Sequence, residues 1–518
     1  MFMKKIFTFT VAVLLTSLLS AQNRYDALRY SQNFYEGSAK SIAMGNALTS
    51  IGGDLGAISI NPASAGLYRY SEFMFTPSTI STLTETDYLD RNTDKRFFRA
   101  GVSSFGYVTP LNGIRKTGSL KGLNVSVSMN KLNNFNNRVS AKGRADNTSW
   151  LSALAYNTNG INSSQLDIQS ANDTYPFYNS GASWRSVLAW NTNLLDRLPD
   201  SENEYIAATE NILGNSIVIG GPLDQRFKRE TTGGISEYAI TLSGNVSNKF
   251  YFGFSLGLQS LRYTDWQSYS EFAVNLNQFD SKFKDFEHVY KQTTTGVGIN
   301  ARAGVIFLPV EGLRLGASLA TPTFFSLEDE WRESMYAEYS DNYHILLKSP
   351  KGSYDYSVIT PARANLGISY FFGTRGSISF DYEFVGYEWM RMDDTDSDFD
   401  EFDDENDLID EDFQNTSNIR AGAEFRLNRI FSLRAGYSYY QNPERNYGFD
   451  TQFVSCGAGF KFGSGFFADF GIQRRISNSE NFRLYDNIPL QGGSSLLAPT
   501  GKSTYSAWKV LATIGFRF

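Results

Sequence analysis

From Trp508 to Phe518 the chain alternates between two sets of side chains. One parity reads Trp508, Val510, Ala512, Ile514, Phe516, Phe518; the other reads Lys509, Leu511, Thr513, Gly515, Arg517. Successive strand residues point to opposite faces, so this stretch has one apolar face and one mixed face. At about 3.3 Å per residue the segment is roughly 33 Å long. Tilted by about 40°, it covers close to 25 Å, the height of the apolar band of a transmembrane β-barrel. The same pattern recurs upstream. Phe250, Phe252, Phe254, Leu256 and Leu258 alternate with Tyr251, Gly253, Ser255 and Gly257, and Ile419, Ala421, Ala423, Phe425 and Leu427 with Arg420, Gly422, Glu424 and Arg426. Leu313 to Leu319 and Phe431 to Tyr439 repeat it. A soluble sandwich also alternates, but not usually over ten or more residues with so much glycine on the polar face. Composition agrees. Phe (41) and Tyr (30) are abundant while mean hydropathy is only −0.32, which is what alternation produces.

Short connections at Ser247-Asn248-Lys249, Pro309 to Gly312, Gly373-Thr374-Arg375, Asn428-Arg429 and Gly463-Ser464 read as hairpin turns. Long polar stretches separate them. Bacterial barrels have short periplasmic turns and long outer loops, which sets the orientation. Strands are expected to begin near 67, 98, 121, 235, 250, 290, 312, 356, 376, 416, 430, 450, 465 and 506, fourteen in all. The fold class is therefore all-β, a 14-stranded antiparallel transmembrane barrel over 66–518. The aromatic end at Phe518 resembles the terminal signal that such barrels present to the barrel assembly machinery. Residues 139–232 lack the alternation and read as an extracellular insertion, with short helices at Trp150 to Ala155 and Asn193 to Leu198.

The N-terminus reads as a signal peptide over 1–21. Lys4 and Lys5 precede an apolar run from Ile6 to Leu19, too short to span as a helix, and Ser20-Ala21 before Gln22 is the cleavage site. No cysteine follows, which argues against a lipoprotein. Cys456 is the single cysteine, so no disulfide forms within the chain. It shares the parity of Val454 and Ala458 and is expected to face lipid. His288 and His344 are the two histidines and have no second ligand at useful spacing, so haem is disfavoured. No nucleophile–base arrangement appears, and the protein reads as no enzyme. A TonB-dependent receptor would need 22 strands and a larger plug.

Net charge is 47 − 54 = −7. Thirteen carboxylates fall in 393–412 with no Lys or Arg, so the rest of the chain carries −7 + 13 = +6. No basic stripe points to nucleic acid. This segment reads as a solvated, acidic extracellular loop. Asp394, Asp396, Asp398 and Glu405 have the spacing of positions 1, 3, 5 and 12 of an EF-hand, but Phe399 stands where the glycine is needed. Calcium held by those four residues is the single cofactor the sequence offers. Charges of lumen parity recur in the barrel: Arg363, Asp381, Glu383, Arg420, Glu424 and Arg434, with Arg302, Arg314, Arg426, Asp469 and Arg475. Paired across strands they would stiffen the interior and hold a plug; unpaired, they would guide a carboxylate headgroup.

Residues 22–65 are rich in small side chains: Ser38-Ala39-Lys40-Ser41, Met44-Gly45-Asn46-Ala47, Gly52-Gly53-Asp54, Asn61-Pro62-Ala63. A 14-stranded barrel is too wide for its own side chains to fill, so this segment is expected to form an N-terminal hatch. The pattern Ala39, Met44-Gly45, Ala47, Asp54, Asn61-Pro62-Ala63 resembles the FadL-type outer-membrane transporters for long-chain fatty acids and aromatic hydrocarbons, and looks closest to the branch from Bacteroidetes-type bacteria. Thr360-Pro361-Ala362-Arg363, Arg420-Ala421-Gly422 and Arg434-Ala435-Gly436 match as well. Ser64-Ala65 depart from it, standing where the family continues Asn-Pro-Ala with glycine. The resemblance covers the mature chain apart from 139–232 and the acidic loop. It implies an outer-membrane barrel that takes a hydrophobic small-molecule ligand from outside and passes it sideways into outer-membrane lipid, with Asn61, Pro62 and Ala63 shaping or gating the hatch. A structural or protein-secretion role on the same scaffold is the alternative.

Overall fold

The computed structural model describes residues 22–111, 119–170, 172–199, 201–214, 216–395, 402–463, 465–489 and 495–518. The segment read as a signal peptide lies outside them. Fourteen staves close one antiparallel barrel. They are β1 (Glu72–Tyr88), β2 (Arg91–Pro110), β3 (Leu120–Asn134, continued by Asn137–Ala145), β4 (Leu223–Val246), β5 (Phe250–Ala273), β6 (Phe283–Phe307), and β7 (Leu313–Ala320, continued by Phe324–Tyr339). There follow β8 (His344–Lys348, Gly352–Ile359 and Arg363–Phe371), β9 (Gly376–Val385 and Arg391–Asp394), β10 (Thr416–Arg426), β11 (Phe431–Tyr440), β12 (Thr451–Phe462), β13 (Phe466–Arg483) and β14 (Thr500–Arg517). Closure is made where β1 pairs β14, Glu72 opposite Arg517 and Leu83 opposite Ser506.

The period-2 pattern decides which face each residue takes. On β14, Trp508, Val510, Ile514 and Phe516 are exposed on the outside while Leu511 and Thr513 are buried. On β5, Phe254, Leu256 and Leu258 are outside and Ser255, Gln259 and Leu261 inside. Cys456 is exposed on the outer face. Ser247 and Asn248 both have positive φ, 55° and 54°, as a two-residue turn matching the strand twist requires.

Several boundaries differ from the sequence reading. The ladder starts at Glu72 rather than 66, because Pro62–Leu67 is a 3-10 helix still inside the lumen. Staves β3 and β4 run on to Ala145 and from Leu223, in register with each other from Asn137↔Thr231 to Ala145↔Leu223, so the insertion is 146–222 and not 139–232. At 24 residues, β4 and β5 are about 80 Å long, far more than the 9–11 residues a bilayer needs. Their upper halves stand clear of lipid, and the apolar alternation that marks a membrane strand stops there. The insertion contains helices α3 (Trp150–Thr158), α4 (Tyr175–Asn179) and α5 (Trp184–Asn191). Asn193 to Leu198 is not helical; Leu195–Arg197 pairs with Tyr205–Ala207 as a small hairpin. Leu151, Leu154, Val187 and Leu188 pack on Tyr269, Phe286, Met335 and Tyr339 of the upper staves, capping the long-loop end of the barrel. Buried Glu271 on β5 pins α3, accepting hydrogen bonds from Ser149 Oγ (2.6 Å) and the Trp150 N–H (2.8 Å).

The acidic segment also departs from a solvated loop. Asp403–Asp412 is a helix, α6. Phe402, Ile409 and Phe413 fall on one side of it and are fully buried against the hatch and the upper wall, in one cluster with Leu28, Tyr30 and Tyr356. Three apolar residues within a run of carboxylates give that helix a face to bury.

Candidate functional site

The hatch runs through the lumen. Its α1 (Arg24–Ser31) begins with Asn23 and Asp26 in a capping box, and α2 (Ala39–Ala43) is capped by Ser38. Asp54 gathers this small-residue segment together. Its carboxylate accepts from Ser38 Oγ (2.9 Å), Ser41 Oγ (3.1 Å) and the Gly56 N–H (2.8 Å). Asn61, Pro62 and Ala63 lie at the seam between hatch and wall. Asn61 Oδ1 accepts the Ala63 N–H at 3.0 Å, starting the 3-10 helix, while Nδ2 donates to the Thr49 carbonyl at 2.7 Å and approaches the Val305 carbonyl of β6 at 3.2 Å. Ser64, where the family has glycine, donates its hydroxyl to the Asp54 carbonyl at 3.1 Å.

Inward glycines of the wall make room for this packing. A Cβ built at Gly253, Gly316, Gly422, Gly436 or Gly471 would fall 2.1–2.6 Å from hatch backbone: Pro62, Thr49, Met44, Gly45 and Ala39 in turn. These five stand on β5, β7, β10, β11 and β13, so the collar runs round much of the barrel. Glycine on the polar face was visible in the sequence; its use as a backbone-to-backbone contact surface was not.

Of the charges singled out in the lumen, Arg363, Asp381, Glu383, Arg420, Glu424 and Arg434 are all inside, 9 % exposed or less. They form two groups. In the upper one, Glu383 stands between Arg363 (3.7 Å) and Arg420 (3.6 Å) and accepts from the Tyr35 hydroxyl of the hatch at 3.1 Å. Arg363 also donates to the Ser31 carbonyl. Asp381 Oδ2 accepts both the N–H and the hydroxyl of Thr49. In the lower group, Arg434 bridges Glu424 (2.8 Å) and Asp469 (2.5 Å), beside a cavity of about 90 Å³ at the short-turn end. Glu237, Glu36 and Lys509, which the sequence reading did not single out, add to the hold. Glu237 pairs with Arg302 at 3.0 Å, and hatch Glu36 with Lys509 at 2.9 Å. Burial pushes the Glu36 carboxyl up, but Lys509 and Lys131 outweigh it and leave the group below its ordinary value.

Of the four residues with EF-hand spacing, Asp396 and Asp398 lie outside the described residues. Glu405 faces the hatch, where its Oε2 accepts the Arg24 N–H at 2.9 Å and lies 3.5 Å from the Arg24 guanidinium; Arg24 also pairs with Asp412 at 2.6 Å. Asp394 ends β9, opposite Tyr356 of β8. Among the described residues no three His, Cys, Asp or Glu side chains are grouped to hold a metal.

Above the hatch is open space. A cavity of about 540 Å³ and a second of about 140 Å³ share Asn134, Phe135, Arg475 and Tyr505; the smaller reaches hatch residues Arg29 and Phe34. Arg475 lies between them. Its guanidinium is 4.8 Å from the Tyr505 ring centre and 5.8 Å from that of Phe34, it donates to Thr451 Oγ1 at 3.2 Å, and its Nε has no partner among the described residues. No carboxylate among the described residues comes within the 4.0 Å of an ion pair.

Near this chamber the ladder between β2 and β3 is interrupted. β2 has twenty residues, but it pairs with β3 only from Ser104↔Asn130 to Pro110↔Asn124. β3 bulges at Lys131/Asn133 and turns to the hatch, where the Phe34 and Glu36 N–H groups donate to the Leu132 (2.8 Å) and Lys131 (3.0 Å) carbonyls. The hatch thus takes β3 carbonyls that could accept from β2, and above Ser104 β2 meets β3 through side chains rather than a ladder, Arg99 donating to Asn136 Oδ1 at 3.0 Å and Thr93 Oγ1 to the Ser140 carbonyl.

Residues 235–518, more than half of the chain, match the family model described as outer membrane protein transport protein (OMPP1/FadL/TodX). The chain belongs to this family. Members of the OMPP1/FadL/TodX family reside in the outer membrane and carry hydrophobic molecules across it, and that is the class of this protein. No curated protein sequence matches it. The fold is that of the Pseudomonas putida toluene transporter TodX, at 14 % identity over 94 % of this chain and 100 % of that one, with a TM-score of 0.51. A Pseudomonas aeruginosa FadL homologue matches at 13 % identity over 93 % and 99 %, with a TM-score of 0.50.

Proposed function

We propose that this transporter carries amphiphiles with a long apolar tail and an anionic head, fatty acids or molecules like them, and releases them sideways between β2 and β3. The observation that carries this is Arg475, a cation ringed by aromatic side chains in the chamber, near the stretch where the β2–β3 ladder is interrupted. Arg475 is half-buried on the cavity wall and has the Thr451 hydroxyl and ring contacts of roughly 0.5–2 kcal/mol each, but among the described residues no carboxylate. A ligand carboxylate supplies the missing partner. The tail gains about 25 cal/mol for each Å² of apolar surface it buries, so capture needs no chemistry and no catalytic group. TodX carries toluene, which has no head; a cation in this position favours a ligand that has one.

Side exit follows from the same energetics. A tail that leaves toward the aqueous periplasm loses its burial, whereas one that leaves into lipid keeps it. In this reading the long loops, the 146–222 cap and α6 face the outside of the cell, the glycine-collared hatch blocks aqueous flow, and calcium has no part in transport. Outer-membrane lipid receives the ligand, and the barrel assembly machinery inserts the chain through its aromatic C-terminus. Purified protein should bind a fluorescent long-chain carboxylate, and Arg475→Met should weaken that binding about ten-fold (roughly 1.4 kcal/mol) while leaving a neutral aromatic ligand unaffected. Equal loss for both ligands would remove the headgroup role. A deletion strain that takes up such ligands normally but fails to display surface proteins would replace transport with secretion support.

A further inference from the structure

Gln22 is the first described residue, and it is not at the surface. It is 5 % exposed inside the barrel, and its side-chain amide donates to Asp329 Oδ2 at 2.8 Å. Asp329 stands on β7, fully buried. Gln292 Nε2 donates to the same oxygen at 2.8 Å, while Oδ1 has no hydrogen-bond partner among the described residues. The other carboxylates around α1 have cations. Asp26 is paired with Arg29, Asp265 with Arg229 (2.7 Å), and Glu405 and Asp412 with Arg24. Glu333, further along β7, has His288 at 2.7 Å and Arg185 at 3.6 Å. Asp329 has amide donors and, among the described residues, no cation in ion-pair range. Two neutral amides do not offset the several kcal/mol that burying an ion entails.

Cleavage of the expected signal peptide would give the chain a cation at this place. If a signal peptidase hydrolyses the Ala21–Gln22 bond, one water is consumed, Ala21 leaves with a new carboxylate, and Gln22 keeps an α-ammonium. We propose that buried Asp329 is the receptor for the α-ammonium of Gln22, so that the hatch helix locks into the barrel only in the processed chain. Gln22 directly precedes the N-cap of α1, where the helix dipole disfavours a positive charge. An ammonium there needs a carboxylate, and Asp329 is the one left over. In the uncleaved precursor the same nitrogen is a neutral amide and the pair is absent. Export processing and plugging are thereby coupled through one ion pair.

The inference rests on cleavage after Ala21, and the test separates the two. Intact mass of the protein purified from outer membranes gives the first residue. With Gln22 first, an amine-reactive ester at neutral pH should acylate the α-amine of the folded protein about ten-fold more slowly than that of the denatured chain. Asp329→Asn should raise the folded-state rate toward the denatured one, and Asp329→Glu should keep it slow, each variant first shown to be an assembled barrel by heat-dependent gel mobility. A chain that starts elsewhere removes the cleavage reading and the proposal together. A start at Gln22 with an α-amine that is fully reactive in the folded wild type, or blocked as pyroglutamate, overturns the proposal and leaves the cleavage site standing. Slow acylation that persists in Asp329→Asn also overturns it.

Discussion

Asp381 Oδ2 holds Thr49 twice, accepting its backbone N–H at 2.8 Å and its hydroxyl at 2.7 Å. One oxygen on stave β9 thereby fixes the hatch at a residue whose carbonyl receives the Asn61 amide. The Asn-Pro-Ala turn and the lumen charges act as one fastening rather than two features.

Replacing Asp381 with alanine leaves two buried donors of Thr49 unpaired, at about 1–3 kcal/mol each. We expect hydrogen exchange of residues 45–53 to quicken while the barrel keeps its heat-dependent gel mobility. Unchanged exchange in that stretch would show that the glycine collar holds the hatch without this bond.

Gly436→Val tests the collar directly. A Cβ at Gly436 would fall 2.1 Å from the Gly45 nitrogen, and Gly45 has φ +60°, so neither backbone can give way easily. The hatch should be displaced in an otherwise assembled barrel. Conductance in planar bilayers is expected to rise from near zero to that of an open pore; a closed channel would mean the hatch tolerates the wedge.

Gly101 lies on β2 where the ladder to β3 is interrupted, and an added side chain there would point toward Lys131 of β3. Gly101→Trp should narrow the opening. Equilibrium binding of a fluorescent long-chain carboxylate should stay within about two-fold of wild type, since two-fold is only about 0.4 kcal/mol. Uptake into cells should fall several-fold. Normal uptake in this variant would rule out exit between β2 and β3.

Glu36 couples the hatch to pH. Its carboxyl is held below the ordinary 4.5 by Lys509 and Lys131 against the effect of burial. A carboxylate lowered in the folded state contributes its full stability above 4.5 and loses it as pH falls through the folded value. The hatch should therefore be intact at neutral pH and loosen in acid below the ordinary carboxylate range. Proteolytic nicking of the segment around Glu36 in detergent, assayed across pH with an acid-active protease, should show this onset in wild type and lose it in Glu36→Gln.

The strands that cross the lipid were legible because their constraint is local. Alternation with lipid on one side fixes both the count of fourteen and the face of every residue from Phe250 to Leu258, and the ladders do begin at Phe250, Gly376 and Thr416. Where a stave rises above the lipid, that constraint ends. Leu223–Thr232 carries polar residues on both faces, and the less polar face of Val139–Ala145 holds nothing larger than Val139, so they read as part of the insertion although they pair residue for residue. The acidic run likewise concealed a helix whose burial depends on Phe402, Ile409 and Phe413 meeting α1. The lumen charges could be placed by parity, but not partnered. Arg434 finds Glu424 and Asp469 while Arg475, of the same residue type on a neighbouring part of the wall, finds aromatic rings. Which cation is paired depends on the register between staves far apart in sequence. The break in the β2–β3 ladder has the same origin, since there Phe34 and Glu36 of the hatch take the carbonyls of Leu132 and Lys131. The sequence by itself determined the barrel, its faces and the hatch, since each follows from spacing along the chain. Only the tertiary structure decided where the β2–β3 ladder breaks and which cation has no carboxylate beside it among the described residues, because hydrogen bonds and ion pairs are shared out among groups that the sequence keeps apart.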